Sequence, residues 1–255
     1  MIDLWLIGIG TGNPDHVTIE ARRALCSADV VLVPRKGPDK ADLADLRHGI
    51  LRDCGSPARI VEFDMPRRDE SRPYAERVAL WHDEIARIWA ATIARARPVG
   101  PVALLVWGDP GLYDSTLRIA ARLAPPPRLR VVPGITALQA LTAAHAIPFN
   151  TINGAITVTT GRRLRDGGWP PGADTVAVML DGECSFRGLA PDGLWIWWGA
   201  YLGMAEQLLD AGPLSEAAPR IVARRAVARA RHGWIMDSYL LKVAADDDML
   251  AAGVP

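Results

Sequence analysis

The apolar positions of this chain follow two periods, and the period changes from segment to segment. Residues 4–9 form a continuous apolar run that closes on a glycine-rich turn, Gly8-Ile9-Gly10-Thr11-Gly12-Asn13-Pro14. A short run of that kind reads as a strand buried on both faces. Thr18 is placed to cap a helix over residues 19–27, with Glu20 in its first turn, where a carboxylate complements the helix dipole. Val30-Val31-Leu32-Val33 predicts a second buried strand, stopped by Pro34, and residues 60–63 predict a third. Over residues 74–97 the period becomes helical. Val78, Trp81, Ile85, Ile88 and Trp89 return to one face with charges between them, and Pro98 and Gly100 end the run. Residues 102–107 predict a fourth strand and Val131-Val132 a fifth, after the Pro125-Pro126-Pro127 break. Strands alternating with helices predict βαβ units and a mostly parallel sheet.

The second half reads differently. Residues 156–160, 175–180 and 194–198 predict strands separated by turn-rich pieces, with fewer helices between them. Some antiparallel pairing follows from that spacing. Residues 215–242 read as helical with a break near Gly233, studded by Arg220, Arg224, Arg225, Arg229 and Arg231. The expected class is α/β, with an N-terminal mostly parallel domain over residues 1–133 and a C-terminal mixed-sheet α/β domain over 134–255.

Composition narrows the function classes. Apolar residues make up 49% and charged residues 23% of 255, the profile of a globular chain with a sizeable core. Lys plus Arg and Asp plus Glu both number 29, so no global charge draws the chain to nucleic acid or a membrane, and neither partner is expected. An anionic ligand must be met by a local basic cluster. Cys26, Cys54 and Cys184 lack any CxxC spacing, so neither a metal site nor a disulfide framework is expected, and a reducing cytoplasm fits. Asp3 and the lack of a basic n-region make the apolar start a strand rather than a signal peptide. No run approaches the roughly 20 apolar residues that span a bilayer.

Three loops carry candidate chemistry. The first departs from the dinucleotide fingerprint G-x-G-x-x-G, because Asn13 stands at the last glycine position and Pro14 follows. Trp107-Gly108-Asp109-Pro110-Gly111-Leu112-Tyr113 comes directly after a strand. That is where open α/β sheets bind ligands; a plain turn with Asp109 bonding its own backbone is the competing description. Val131-Val132-Pro133-Gly134-Ile135-Thr136-Ala137 again joins strand to helix, with a hydroxyl and free amides at the helix start.

Taken together, in this order and spacing, the three loops resemble the tetrapyrrole methylase family. The resemblance covers essentially the whole chain and is strongest over residues 4–150. It implies two α/β domains with S-adenosylmethionine bound in the cleft between them, S-adenosylhomocysteine as product, an acidic tetrapyrrole as substrate, and a homodimer. Carried over by position, it assigns Trp107, Gly108, Asp109, Tyr113, Thr136 and Ala137 to the cofactor pocket. A second-domain strand, Val178-Met179-Leu180-Asp181-Gly182, carries Leu180 where the family usually has methionine. Gly199 and Ala200 end another strand, where the family presents backbone to adenosine. Further blocks at residues 34–47, 197–203 and 228–237 resemble a member that removes an acetyl group from precorrin-5 as acetate and methylates C1.

Substrate carboxylates need cations, and guanidinium matches carboxylate as a fork. Arg35 and Lys36, beside a strand end, are the substrate-binding candidates, whereas Lys40 and Arg47 read as solvated surface. Deacetylation needs a base and an oxyanion donor. His82, His145 and His232 qualify by type only, His82 reading as a surface or interface residue. Asp64 and Asp181 are better placed at strand ends, and the catalytic base stays unassigned. Two other readings stay open: a methyltransferase of this fold acting at another macrocycle carbon or on a protein, and a non-enzymatic tetrapyrrole carrier.

Overall fold

A computed structural model describes residues 1–35, 41–69 and 71–243. The chain divides into two compact units, Met1–Thr136 and Ala137–Pro255. The first contains β1 (Asp3–Gly8), α1 (Ile19–Ser27), β2 (Val30–Arg35), α2 (Ala41–Asp53), β3 (Arg59–Asp64), α3 (Tyr74–Ala96), β4 (Val102–Val106), α4 (Thr116–Ala120) and β5 (Arg128–Val132). Its five strands run parallel in the order β3-β2-β4-β1-β5.

Side chains alternate faces along a strand, and here both faces are covered. Leu4, Leu6, Val30, Leu32, Leu104 and Val106 pack on one side with Ile85, Trp89 and Ile93 of α3. Trp5, Ile7, Val31, Val33 and Leu105 pack on the other with Leu25 of α1 and Ile50 and Leu51 of α2. This double burial is why the strands read as unbroken apolar runs. Each fully buried aliphatic side chain contributes about 1.5–3 kcal/mol. The capping of α1 is as expected, the Thr18 hydroxyl accepting from the Ala21 amide at 3.1 Å.

One strand end differs from expectation. Pro34 does not stop β2, which pairs with β3 through Arg35. The pairing of β2 with β4 ends earlier, at Leu32 and Leu104. Odd-numbered β2 residues bond toward β3, as the Met65 amide does to the Arg35 carbonyl at 3.0 Å. The nitrogen of Pro34 therefore faces the side where β4 has already parted, and its missing N–H removes no ladder bond.

The second unit contains α5 (Ala137–Ala144), β6 (Ile156–Thr160), α6 (Gly161–Gly167), β7 (Thr175–Met179), β8 (Leu194–Ala200), β9 (Leu208–Pro213), α7 (Leu214–His232) and β10 (Asp237–Val243). Its sheet runs β6-β7-β10-β8-β9, with β6 and β7 parallel and the other neighbours antiparallel. The expected C-terminal helix is corrected here. It ends at Gly233, in the left-handed region at φ 71, and residues 237–243 form the central strand of the sheet. Ser238, Tyr239, Leu240, Leu241 and Lys242 are all buried, so the segment carries no period that separates strand from helix. Because β7 and β8 both run against β10, their carboxyl ends lie on either side of Asp237.

Candidate functional site

The carboxyl ends of β1, β4 and β5 meet through glycines. The Gly10 amide donates to the Gly108 carbonyl at 3.3 Å, and the Gly108 amide to the Gly10 carbonyl at 2.7 Å. A Cβ on Gly134 would lie 2.1 Å from the Gly108 oxygen, and one on Gly8 2.6 Å from the Gly134 nitrogen. Only glycine allows these three backbones to close on one another. Asp109 fastens the arrangement. One carboxylate oxygen accepts from the Gly111 amide at 2.7 Å, the other from the Gly134 amide at 2.8 Å. The carboxylate thus serves its own turn, as the plain reading held, and also ties the β4 loop to the β5 loop.

Beyond Gly108 the ground is open. Its φ is +66°, and a Cβ there would meet nothing nearer than the Ile135 carbonyl at 3.9 Å and the Thr136 Cα at 4.0 Å. Tyr113, 41% exposed, holds a left-handed φ of 49° at the end of the same loop. Trp107 packs partly against the α1–α2 side of the core. Trp107, Gly108, Asp109, Tyr113 and Thr136 thus belong to two loops joined by the Asp109 clamp, and Ala137 opens α5. A bare glycine ledge fits a small polar ligand laid along main-chain groups, so the residues present suit the cofactor that the loop pattern implies.

Arg35 is the last residue of β2, and its fork is engaged. Its Nε and Nη2 donate to the two Asp64 oxygens at 3.0 and 3.1 Å, and Nη1 lies 3.5 Å from Glu62. These pairs are solvent-exposed and worth about 0–1 kcal/mol each, weak enough to exchange for another carboxylate. The same fork occupies Asp64, a suggested base. Lys36 and Lys40 lie outside the described residues. Arg47 is not the solvated surface charge expected. It reaches from α2 to the Leu105 carbonyl at 3.4 Å, beside the gap where β2 and β4 part. Burial pushes its pKa down to about 10, against the pull of Asp114.

At the carboxyl end of the second sheet, Leu180 is 67% exposed with φ 55°. Asp181 behind it is buried and saturated. It accepts from the Tyr239 hydroxyl at 2.7 Å, the Ser185 hydroxyl at 2.9 Å, and the amides of Ser185 and Glu183 at 2.6 and 3.0 Å. Burial alone would raise its pKa, but the bonds from Tyr239, Glu183 and Ser185 outweigh it and hold the carboxyl below its ordinary value. Asp181 therefore anchors a turn, with both of its oxygens committed to donors. Arg225 joins this corner to β10, donating to the Asp181 carbonyl at 3.0 Å and to Asp237 at 2.9 Å. A Cβ on Gly199 would lie 2.6 Å from a Leu202 methyl and 2.9 Å from a Leu141 methyl, so those two side chains would have to shift for any larger residue there. Ala200 is buried between Asp237 and Leu208.

The histidines named by type have local explanations. His82 is buried on α3, 3% exposed, rather than on the surface, and its Nε2 has no hydrogen-bond partner. Burial, then nearby Arg122, Arg68 and Arg118, pushes its pKa down. The His145 Nε2 bonds the Trp198 carbonyl at 3.0 Å, and burial lowers it too. His232 packs edge-on against Tyr201 at 5.2 Å. A residue not expected from the sequence is His16, which ends the short turn just after the glycine loop with Nδ1 3.0 Å from the buried Thr11 hydroxyl. The signal was its place two residues after the Asn13-Pro14 turn. Among the described residues, no three His, Cys, Asp or Glu side chains gather as a metal site, and no helix is long and apolar enough to cross a membrane.

Comparison with known proteins places this geometry. The family model for tetrapyrrole (corrin/porphyrin) methylases matches residues 3–218. A precorrin-6A synthase (deacetylating) from a Sinorhizobium species is 44% identical over 97% of this chain and 98% of its own. A cobalamin-synthesis-related protein, CobF, from Corynebacterium diphtheriae superposes with a TM-score of 0.81 at 38% identity, covering 96% of this chain and 100% of that one. The fold alone is shared with uroporphyrin-III C-methyltransferase from Thermus thermophilus, solved with S-adenosylhomocysteine: TM-score 0.57 at 21% identity, over 94% of this chain and 97% of that one. With a parallel sheet closed by three glycine loops, a mixed second sheet, and a family match over most of its length, this chain belongs to the tetrapyrrole (corrin/porphyrin) methylases.

Proposed function

We propose that the chain is an S-adenosylmethionine-dependent methyltransferase that carries out the precorrin-6A synthase (deacetylating) reaction: methylation of precorrin-5 at C1 with loss of its acetyl group as acetate. The observation that carries this reading is the near-full-length identity of 44% to an enzyme of that name. S-adenosylmethionine, when bound, supplies a methyl group already activated on a sulfonium. The chain's own work is therefore to align and to exclude water. Trp107, Gly108, Asp109, Tyr113, Thr136 and Ala137 are assigned to hold the cofactor. Gly108 offers unobstructed backbone, and Asp109 fixes the loops from behind. Leu180, Gly199 and Ala200 are assigned to its adenosine through main-chain groups, which tolerates leucine in place of the family's methionine. Arg35 and Lys36 are assigned to substrate carboxylates. Arg35 would exchange its exposed Asp64 partner for a substrate carboxylate.

The free thiols of Cys26, Cys54 and Cys184 suit a reducing cytoplasm, and the family resemblance implies a homodimer, which light scattering measures. The function is tested with methyl-labelled S-adenosylmethionine and precorrin-5 under anaerobic conditions. Label in the macrocycle is expected. Label in no tetrapyrrole, with cofactor bound, would overturn the substrate assignment.

A further inference from the structure

Loss of an acetyl group adds a demand that methyl transfer does not make: a water must be deprotonated near the reacting carbon. We infer that His16, oriented by Thr11, is the general base that activates this water. The inference rests on the deacetylating reaction proposed above.

The placement carries it. His16 follows β1 at the carboxyl end of the parallel sheet, the end where open α/β sheets receive ligands. Its Cβ lies 2.6 Å from where a Cβ on Gly10 would stand, and Gly10 is bridged through both main-chain groups to Gly108. The start of the His16 side chain therefore packs on the Gly10 backbone, one partner of the glycine junction. Thr11, 4% exposed, meets Nδ1 at 3.0 Å. With the Nδ1 proton donated to the hydroxyl oxygen, Nε2 carries the lone pair, and it bonds no other described residue. This is the base-and-orienter arrangement in which a third group fixes the tautomer.

Other candidate groups are engaged elsewhere, and His232 packs on the Tyr201 ring. His48 is held by Glu62 at 3.0 Å, His145 bonds a main-chain carbonyl, and His82 sits in the α3 core. Asp64 is forked by Arg35, Asp109 takes two amides, and Asp181 takes four donors.

The step balances. Nε2 takes a proton from water as the water oxygen bonds the acetyl carbonyl carbon and the carbonyl becomes an oxyanion. Collapse of that adduct re-forms the C=O and breaks the bond to C1. Acetic acid leaves, ionising to acetate, and the electron pair stays on C1, where the methylation consumes it. The proton on Nε2 returns to solvent.

The test measures acetate release from precorrin-5 by wild type, His16→Gln and Thr11→Val, alongside S-adenosylhomocysteine affinity for each. We expect the His16→Gln rate to fall about a hundredfold or more, with affinity within about twofold and partial recovery on adding imidazole, which a merely structural role would not give. Nitrogen-15 spectra of labelled wild type should place the neutral-ring proton on Nδ1, a readout independent of turnover. Thr11→Val should slow acetate release less and move that proton between the two nitrogens. Undiminished acetate from His16→Gln, or a ring proton fixed on Nε2, would overturn the inference. No acetate from wild type would instead overturn the reaction assignment, and the inference with it.

Discussion

At the scale of single residues, the first unit's site is a problem of close backbone approach. Asp109 lies in a loop readable from sequence, yet its role was not. Gly-Asp-Pro beside a strand end suits either a turn or a ligand contact, and only the 2.8 Å bond from the Gly134 amide shows the carboxylate spanning two loops. Asp109→Ala should leave two amides without their acceptor. It is expected to cost about 1–3 kcal/mol of stability and to weaken S-adenosylhomocysteine binding by about tenfold or more, equivalent to about 1.4 kcal/mol. Denaturant titration and calorimetric binding measure the two separately, and unchanged affinity would remove Asp109 from the cofactor site. Gly134→Ala tests the junction more severely. Its Cβ would lie 2.1 Å from a main-chain oxygen that cannot turn aside, so a loss of about 3 kcal/mol or more is expected by thermal melting.

At the scale of elements, legibility followed burial pattern. Helix α3 was clear because Val78, Trp81, Ile85, Ile88 and Trp89 mark one face between charged neighbours. Strands β1, β2 and β4 were clear because both their faces are covered. Strand β10 was hidden for the same reason: a short segment buried from Ser238 to Lys242, after an arginine-rich helix, has no polarity alternation to expose it. Strand β9 escaped because its edge position leaves it half-buried and rich in turn-formers, Asp210, Gly212 and Pro213. The corner that β10 completes is polar and dry. Arg225 and Asp237 form an ion pair with side chains only 10% and 6% exposed. Removing one member of such a pair strands the other, so Arg225→Met is expected to destabilise by about 3–5 kcal/mol. Tyr239→Phe, which takes one donor from Asp181, should cost about 1–3 kcal/mol. Urea unfolding of both variants checks the ranking; a larger loss from Tyr239→Phe would contradict it.

At the scale of the whole molecule, buried His82 and half-buried His145 set an acid limit. His82 and His145 both have pKa values lowered from the ordinary 6.5 by burial. Below about that pH the unfolded chain takes up protons that the folded chain refuses, so stability is full above 6.5 and falls as pH drops toward the lowered values. Asp3, held low by Arg128, and Asp181 add a further loss as pH falls below their ordinary 3.8. Melting temperature between pH 8 and 5 should decline, and His82→Leu should flatten the slope; an unaltered slope would dismiss His82 as its cause. Family and fold were legible from three loops at the right spacing, since those loops are where backbone geometry forces particular residues. The substrate's identity was not legible from physics, because an exposed arginine such as Arg35 pairs equally well with a neighbouring Asp64 or an incoming carboxylate. The central claim is therefore tested on the substrate: anaerobic incubation with S-adenosylmethionine and precorrin-5, read by mass spectrometry of the macrocycle and an acetate assay. One methyl gained, the acetyl lost, and acetate equal to methyl transferred are the predicted results; a methylated macrocycle that keeps its acetyl group, with no acetate formed, would contradict the account.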